Sequence, residues 1–436
     1  MYLKKMTLRN FKCFEEISID FHKNLTVIVG VNGAGKTSLL EGAAIAISTM
    51  FMPLGGTKSR GIDKAQVRLQ SFPSGSMVDV QPQYPVTVFA SAVLDGQEIS
   101  WQRSLNKAKG NTTYGDAKEL ISIAESYQDR LRIGDVALVL PLIAYYGTGR
   151  LWDYHREKQN EIFETNTRTN GYIDSVDGTA NIKLMMNWFA KMTVQKYQNQ
   201  ESGLGGVPEL DAVFSAMEKC YERITGATNT KMQYNMATKE LDVVYTDKDD
   251  KRVRIPLNQL SDGYKSTVSL VADIAYRMAV LNPQLLGNVC EETDGVVLID
   301  EVDLHLHPSW QQRILGDLTA IFPRVQFIVT THAPAVINTI HAENLLLLDG
   351  HDLYEVSGEV YGRDVNAILN GTMDTAERPV EVKKMFQNFY DYLQMENYDQ
   401  AEHILDEIEA LIGNDDSDLP ACRLKLKLRK HRGGRV

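Results

Sequence analysis

Residues 30–37, Gly-Val-Asn-Gly-Ala-Gly-Lys-Thr, constrain this chain more than any other stretch, because they fill every required position of the phosphate-binding loop pattern. Residues 25–29 before them are a short apolar, β-branched run that reads as a buried strand, and residues 38–50 after them have helical composition and spacing. Gly30, Gly33 and Gly35 let the backbone turn its N–H groups inward onto phosphate oxygens, and the helix presents its positive end to the same anion. Asn32, Ala34 and Ser38 complete the nucleotide-binding set. Lys36 is expected to bridge the β- and γ-phosphates, and the Thr37 hydroxyl to ligate Mg²⁺. A plain glycine-rich turn would not need the lysine, the hydroxyl, the strand and the helix all at once.

At 436 residues the chain is long enough for two or three domains or one large domain with insertions, and its 43% hydrophobic and 24% charged residues are those of an ordinary globular protein. No apolar run is long enough to span a bilayer, and the opening Met1-Tyr2-Leu3-Lys4-Lys5 leads into a strand rather than a signal peptide, so cytoplasm is the expected location and a membrane is not an expected partner. Cys13, Cys220, Cys290 and Cys422 lack CxxC spacing, which points to reduced thiols rather than a zinc site or a disulfide framework. A formal net charge of -11 argues against a chain-wide nucleic-acid surface. The charge is uneven: acids dominate residues 396–418, whereas every formally charged residue in 423–435 is Lys or Arg. A solvated tail is the preferred reading of that run, ahead of a nucleic-acid or partner contact.

Residues 6–14 begin a strand and 17–21 alternate as a half-exposed strand should. Arg9, Asn10 and Lys12 there fit either contacts around a nucleotide base or the solvent side of an ordinary edge strand. Residues 55–84 read as an irregular insertion. A hairpin follows, with strands at 86–94 and 98–105 about the Asp95-Gly96 turn. Residues 117–132 look helical, and the apolar run 136–146 returns to the sheet, ending in Tyr145-Tyr146-Gly147-Thr148-Gly149-Arg150. Its glycines fit a turn; Arg150 equally fits a phosphate contact past a strand end. Helical periodicity covers most of 152–218, residues 231–245 and 253–256 resemble a strand pair, and no heptad pattern is sustained. The expected division is residues 1–150, a first lobe; 151–258, a helical and β insertion; 259–371, a second lobe; and 372–436, a helical region with a basic tail.

In the second lobe, Leu260-Ser261-Asp262-Gly263 opens a helix, so Ser261 and Gly263 can form a second anion site, although Ser261 alone is also an ordinary N-cap. Residues 296–301, Val-Val-Leu-Ile-Asp-Glu, are a buried strand ending in two carboxylates. Asp300 is expected to hold Mg²⁺ and Glu301 to polarise the attacking water. Another buried strand, 325–330, ends at Thr331-His332, where His332 can donate to a γ-phosphate. His307, beside Pro308, reads as structural. Residues 345–348 are a last core strand, and residues 377–412 carry two amphipathic helices; for residues 424–428, Leu-Lys-Leu-Lys-Leu, helix and strand both stand.

These motifs, in this order and with the Val302-Asp303-Leu304-His305 loop, resemble the ATP-binding-cassette ATPase head of the SMC, RecF and OLD group over roughly residues 1 to 350. The resemblance implies an α/β fold: a P-loop ATPase head of mixed, largely parallel sheet with an antiparallel β subdomain, a helical insertion and a C-terminal helical extension. It implies ATP and Mg²⁺ as ligands. It also implies a head-to-tail homodimer in which Ser261 and Gly263 of one subunit meet the γ-phosphate held by Lys36 of another, with Asp303 at the seam. Asp262 departs from the usual glycine, and the Mg²⁺-sensing glutamine stays open between Gln102 and Gln159. Ala-Tyr-Tyr-Gly-Thr-Gly-Arg-Leu-Trp, residues 144–152, is similar to a motif of PtuA-type ATPases of Septu anti-phage systems, including retron-associated ones. That similarity implies an HNH nuclease partner, PtuB, with a retron reverse transcriptase and msDNA as further companions. The helical region after Gly371, which core cassette chemistry does not need, is then the expected docking surface, and a simple cap on the domain is the competing reading.

Three functions are thus in view: an ATPase that controls a partner nuclease, a RecF-like repair ATPase that clamps duplex DNA itself, and a nucleotide-sensing scaffold with little turnover. A nuclease site within the chain is not expected. Little sequence follows His332, and it carries neither an acidic metal-binding core nor a Cys/His framework.

Overall fold

The computed structural model describes residues 1–74, 77–151, 167–178, 181–247, 251–356, 358–363, 379–414, 416 and 418–433. The chain divides into two compact units, Met1–Gly362 and Arg363–Val436.

The first unit opens with β1 (Tyr2–Phe11), β2 (Phe14–Asp20) and β3 (Leu25–Val29), followed by helix α1 (Lys36–Ile47). Two hairpins come next, β4 (Leu69–Ser74) with β5 (Met77–Pro82), and β6 (Val86–Leu94) with β7 (Gln97–Leu105). Helix α2 (Lys118–Arg132) leads to β8 (Leu142–Tyr146), then come α3 (Ile182–Glu201) and α4 (Pro208–Thr225). A meander of β9 (Thr228–Asn235), β10 (Glu240–Thr246) and β11 (Arg252–Pro256) precedes α5 (Asp262–Leu281). The unit is completed by β12 (Gly295–Ile299), β13 (Val325–Thr331), β14 (Leu345–Asp349) and β15 (Asp352–Glu355).

A six-stranded sheet in the order β15-β14-β3-β13-β12-β8 forms the centre. Its neighbours pair in parallel except for the edge strand β15. The composition explains this: β8, β12 and β13 are buried at every position and β3 at all but its first, so these strands are apolar on both faces, as parallel strands covered on both sides must be. A four-stranded antiparallel sheet, β2-β1-β6-β7, makes the second layer; β1 alternates apolar and polar residues accordingly. The fold is thus the α/β P-loop ATPase head expected from the motif order.

The sheet register decides where the chemistry sits. Val29 pairs with Thr331, and Val329 with Ile299, so the ends of β3, β13 and β12 lie side by side with β13 in the middle. The phosphate loop, Thr331-His332 and Asp300-Glu301 follow those three ends. Residues far apart in sequence meet at one carboxyl edge, where ligands of parallel sheets gather.

Several local expectations are refined. The irregular stretch 55–84 contains the β4–β5 hairpin, and residues 231–245 are two strands, β9 and β10, because Ala237, Thr238 and Lys239 turn the chain with Lys239 at φ 58. Only Leu142–Tyr146 of the apolar run 136–146 is strand. Part of the helical stretch expected from residue 152 lies outside the described residues, as do Trp152 and Gln159.

The second unit contains helices Val380–Gln394, Tyr398–Ile412 and Leu419–Gly433. Residues 424–428 are therefore helical. Leu426 joins Phe389, Leu393, Ala401, Leu405, Ile408, Leu419 and Cys422 in a shared core. The charge segregation has a local cause: Lys430 pairs with Glu402 at 2.6 Å, and Arg423 with Glu409. Basic residues of the last helix thus answer acids of the one before it. Among the described residues, no helix is long and apolar enough to cross a membrane.

Candidate nucleotide site

Between β3 and α1 the chain must turn sharply without side chains in the way. Gly33 and Gly35 adopt φ 85 and 111, in the left-handed region that favours glycine. Gly30 is needed for space instead, since a Cβ there would lie 2.3 Å from the carbonyl oxygen of Leu348. Gly35 caps α1 with no side-chain hydrogen bond, so the N–H groups of the first turn keep their capacity for an anion. Val31, Asn32 and Gly33 are exposed at the loop's tip, whereas Ala34, Lys36 and Ser38 are buried. The Lys36 ammonium donates to the carbonyls of Gly30 at 2.7 Å and Val31 at 3.1 Å. Burial holds it below the usual lysine value, against the pull of Glu301, Asp300 and Asp303.

Asp300 is only 1% exposed and is gripped from three sides. The Thr37 hydroxyl donates to its Oδ2 at 2.7 Å, the Thr330 hydroxyl to its Oδ1 at 2.6 Å, and its backbone N–H to the Tyr146 carbonyl at 2.8 Å. Thr330 also accepts the Glu301 N–H at 2.8 Å. That bond holds a strained backbone: Glu301 sits at φ 47, which a residue with a Cβ adopts at a cost of about 1–3 kcal/mol. Asp303, 5% exposed, accepts the Thr331 hydroxyl at 2.5 Å on Oδ1 and lies 3.9 Å from Nδ1 of the exposed His332 on Oδ2.

Ser261 and Gly263 form a second cluster at the start of the 20-residue helix α5. Ser261 is exposed and makes no side-chain cap bond. A Cβ on Gly263 would meet the His305 carbonyl at 2.8 Å and the Trp310 ring at 2.9 Å, so a glycine is required where α5 packs on the loop after Asp303. Asp262 is exposed. His307 accepts from the Ser309 N–H and caps the short helix beginning at Pro308.

Other sequence candidates are engaged within the chain. Arg9 pairs with Glu16 at 3.0 Å, Lys12 with Glu41 at 2.6 Å, and Asn10 donates to the Pro85 carbonyl. The Gln102 amide donates to Ser104. The side chain of Arg150 lies outside the described residues. Three site neighbours were missed by sequence reasoning: Thr330, Tyr146, and His351, whose Nδ1 lies 3.1 Å from the Ala34 carbonyl in the phosphate loop. Thr330 carried a readable signal. A hydroxyl near the end of a strand buried at every position must find a partner there.

A parallel sheet with a glycine loop, a lysine and two strand-end carboxylates at one edge defines a P-loop ATPase. The chain belongs to the AAA-domain family, whose description, "AAA domain", matches residues 5–225, just over half of it. It is 28% identical to the "Retron Ec83 probable ATPase" of Escherichia coli, over 97% of this chain and 86% of that protein. To the "Retron Vc95 probable ATPase" of Vibrio cholerae it is 24% identical, over 87% and 80%. To the "Septu protein PtuA" of Bacillus thuringiensis it is 23% identical, over 85% and 81%. The resemblance expected from the motif order and from residues 144–152 is borne out by these relatives.

Proposed function

We propose that the chain hydrolyses ATP between two head-to-tail copies of itself and, through that assembly, controls a partner HNH nuclease in defence against phage. The single observation that carries the reading is the convergence on Asp300 of the Thr37 hydroxyl from α1 and the Thr330 hydroxyl from β13. It ties phosphate loop and acidic strand end into one site.

Lys36 neutralises the β- and γ-phosphates, and the backbone N–H groups at the start of α1 bind the same oxygens. The residues fit a hard cation. Thr37 Oγ1 and Asp300 Oδ2, 2.7 Å apart, offer two oxygen ligands, with the remaining positions left to water and phosphate. Mg²⁺ held there would offset phosphate charge. Glu301 accepts a proton from the attacking water and orients it; its backbone, fixed by Thr330, keeps that carboxylate in place. His332 donates to the γ-phosphate, with Asp303 beside it to hold its orientation. Ser261 and Gly263 serve the nucleotide of the second copy, which fits a serine that is exposed and not spent on capping its own helix. Asp303 lies at the seam, and the soluble, cytoplasmic setting follows from this role.

The second unit supplies the docking surface for the nuclease. Leu424 and Leu428, four residues apart on one helix, are 58% and 56% exposed, and Leu411 is 61% exposed. Exposed leucines of this kind suit a protein partner better than DNA. Its relatives' association with retrons adds reverse transcriptase and msDNA to the assembly.

The test is co-expression with neighbouring open reading frames, followed by purification with and without ATP. An HNH protein that co-purifies, and is lost on Leu424→Glu with Leu428→Glu, supports the reading. A chain that recruits no protein and binds duplex DNA with steep salt dependence replaces it with the repair-clamp function.

A further inference from the structure

Tyr146 belongs to the Tyr-Tyr-Gly-Thr-Gly run to which the ATPase reading gives no role. It closes β8, and its two ends reach different parts of the site. Its carbonyl accepts the Asp300 N–H at 2.8 Å. Its hydroxyl donates to Asp273 Oδ2 at 2.7 Å, on the same α5 that carries Ser261 at its start. Arg277 donates to that same oxygen through Nε at 2.7 Å, and through another nitrogen to the carbonyls of Gly171 and Ile173, both at 2.9 Å. Tyr146, Asp273 and Arg277 are each 2% exposed or less. Asp273 Oδ1 has no hydrogen-bond partner among the described residues, so the hydrogen bonds of this carboxylate converge on Oδ2.

A buried ion pair is a poor way to gain stability, because desolvation cancels most of the attraction. Nor does α5 need one to stay attached, since Val268, Val271, Ala272, Ile274, Ala275 and Met278 are buried along it. What the triad adds is direction. Apolar contacts tolerate sliding along a helix axis, whereas a hydrogen bond of 2.7 Å is stretched or misaligned by a slide of about 1.5 Å, the rise of one helical residue. Burial, and then the Asp273 carboxylate, hold the Tyr146 hydroxyl well above its usual value, so it stays protonated and keeps donating.

We infer that Tyr146, acting through Asp273 and Arg277, is a positioning residue that couples the peptide of Asp300 in one nucleotide site to the placement of Ser261 in the other. The inference rests on the head-to-tail reading. Ordering of Asp300 around nucleotide fixes β8, β8 fixes α5 along its axis, and α5 presents Ser261 to the second copy. The two sites of a dimer then respond to one another through two such triads.

The experiment uses the full chain. Tyr146→Phe removes one hydroxyl while the ring and the Asp273–Arg277 pair remain, and Asp273→Asn serves as a second variant of the same link. Steady-state hydrolysis is measured against ATP concentration, and binding of a fluorescent ATP analogue to dilute protein is measured separately. The expected result is a roughly 3- to 30-fold fall in kcat with a Hill coefficient moving toward one. Nucleotide affinity is expected to stay within about twofold, and the combined loss with Ser261→Ala to be smaller than the product of the single losses. Wild-type kcat and Hill coefficient in both variants would overturn the inference. So would losses that multiply independently with Ser261→Ala, or a fall in affinity equal to the fall in kcat, which marks a merely structural contact. If Ser261→Ala leaves hydrolysis unchanged, the head-to-tail reading itself fails and takes the inference with it. A silent Tyr146→Phe beside an impaired Ser261→Ala removes the inference alone.

Discussion

Replacing Thr330 with valine isolates a hydroxyl that joins both strand-end carboxylate residues to the sheet. Thr330 is fully buried and near-isosteric with valine, so the change removes polar contacts and leaves the packing. Two bonds are lost: its donation to Asp300 Oδ1 at 2.6 Å and its acceptance of the Glu301 N–H at 2.8 Å. A bond to a charged group contributes about 1.5–3 kcal/mol and a neutral one about 0.5–1.5 kcal/mol. Together they give about 2–4.5 kcal/mol, or a roughly 30- to 2,000-fold fall in the folding equilibrium. Urea unfolding followed by tryptophan fluorescence reads this directly. Trp101, Trp152, Trp188 and Trp310 all lie in Met1–Gly362, so the signal reports that unit alone. Hydrolysis is expected to fall as well, since Glu301 loses the bond that holds its strained backbone. Thr330→Ser keeps the hydroxyl and should recover most of both effects. A valine variant within about 0.5 kcal/mol of wild type would refute the argument, because that is the lower bound for a single lost bond. Equal losses for serine and valine would refute it too, showing that the methyl and not the hydroxyl matters.

Lys36→Ala should weaken nucleotide binding roughly 10- to 100-fold, the worth of one or two charge-assisted bonds, as read by equilibrium titration; affinity equal to wild type would remove Lys36 from the site. Gly30→Ala should abolish nucleotide binding, since its Cβ would stand 2.3 Å from the Leu348 carbonyl oxygen. Gly33→Ala meets nothing within 4 Å and carries only its φ of 85, so it should cost about 1–2 kcal/mol and retain measurable binding in the same titration. Burial pushes the Cys220 and Cys290 thiols up to about 12, and Cys422 is buried, so alkylation of the native protein near neutral pH should modify Cys13 first, as mapped by mass spectrometry. Burial also raises Cys13, and that modification should quicken as pH rises.

The phosphate loop and the Asp-Glu strand end were legible because each carries its chemistry in one unbroken stretch, flanked by apolar runs with the right period. The neighbours that hold them were harder to read. Thr330, Thr331 and Tyr146 reach the acidic residues only through strand pairing between β8, β12 and β13, and no local pattern encodes which strands become neighbours. The turn at Ala237, Thr238 and Lys239 escaped notice because it lacks glycine and proline; Asn235 builds it instead, accepting from the Ala237 and Thr238 N–H groups. Residues 424–428 alternate as a strand would, but Leu426 packs into a helical core while Leu424 and Leu428 stay exposed. Alternation over five residues fits a helix as well as a strand when only one of its leucines is buried.

The most direct test of the central claim is the mass of the Glu301→Gln variant in solution, with and without ATP and Mg²⁺. A variant that binds nucleotide but cannot activate water should double in mass with ATP, and Ser261→Arg in the same chain should reverse the doubling while nucleotide binding persists. A mass unchanged by saturating ATP, or a doubling indifferent to Ser261, would contradict the head-to-tail account.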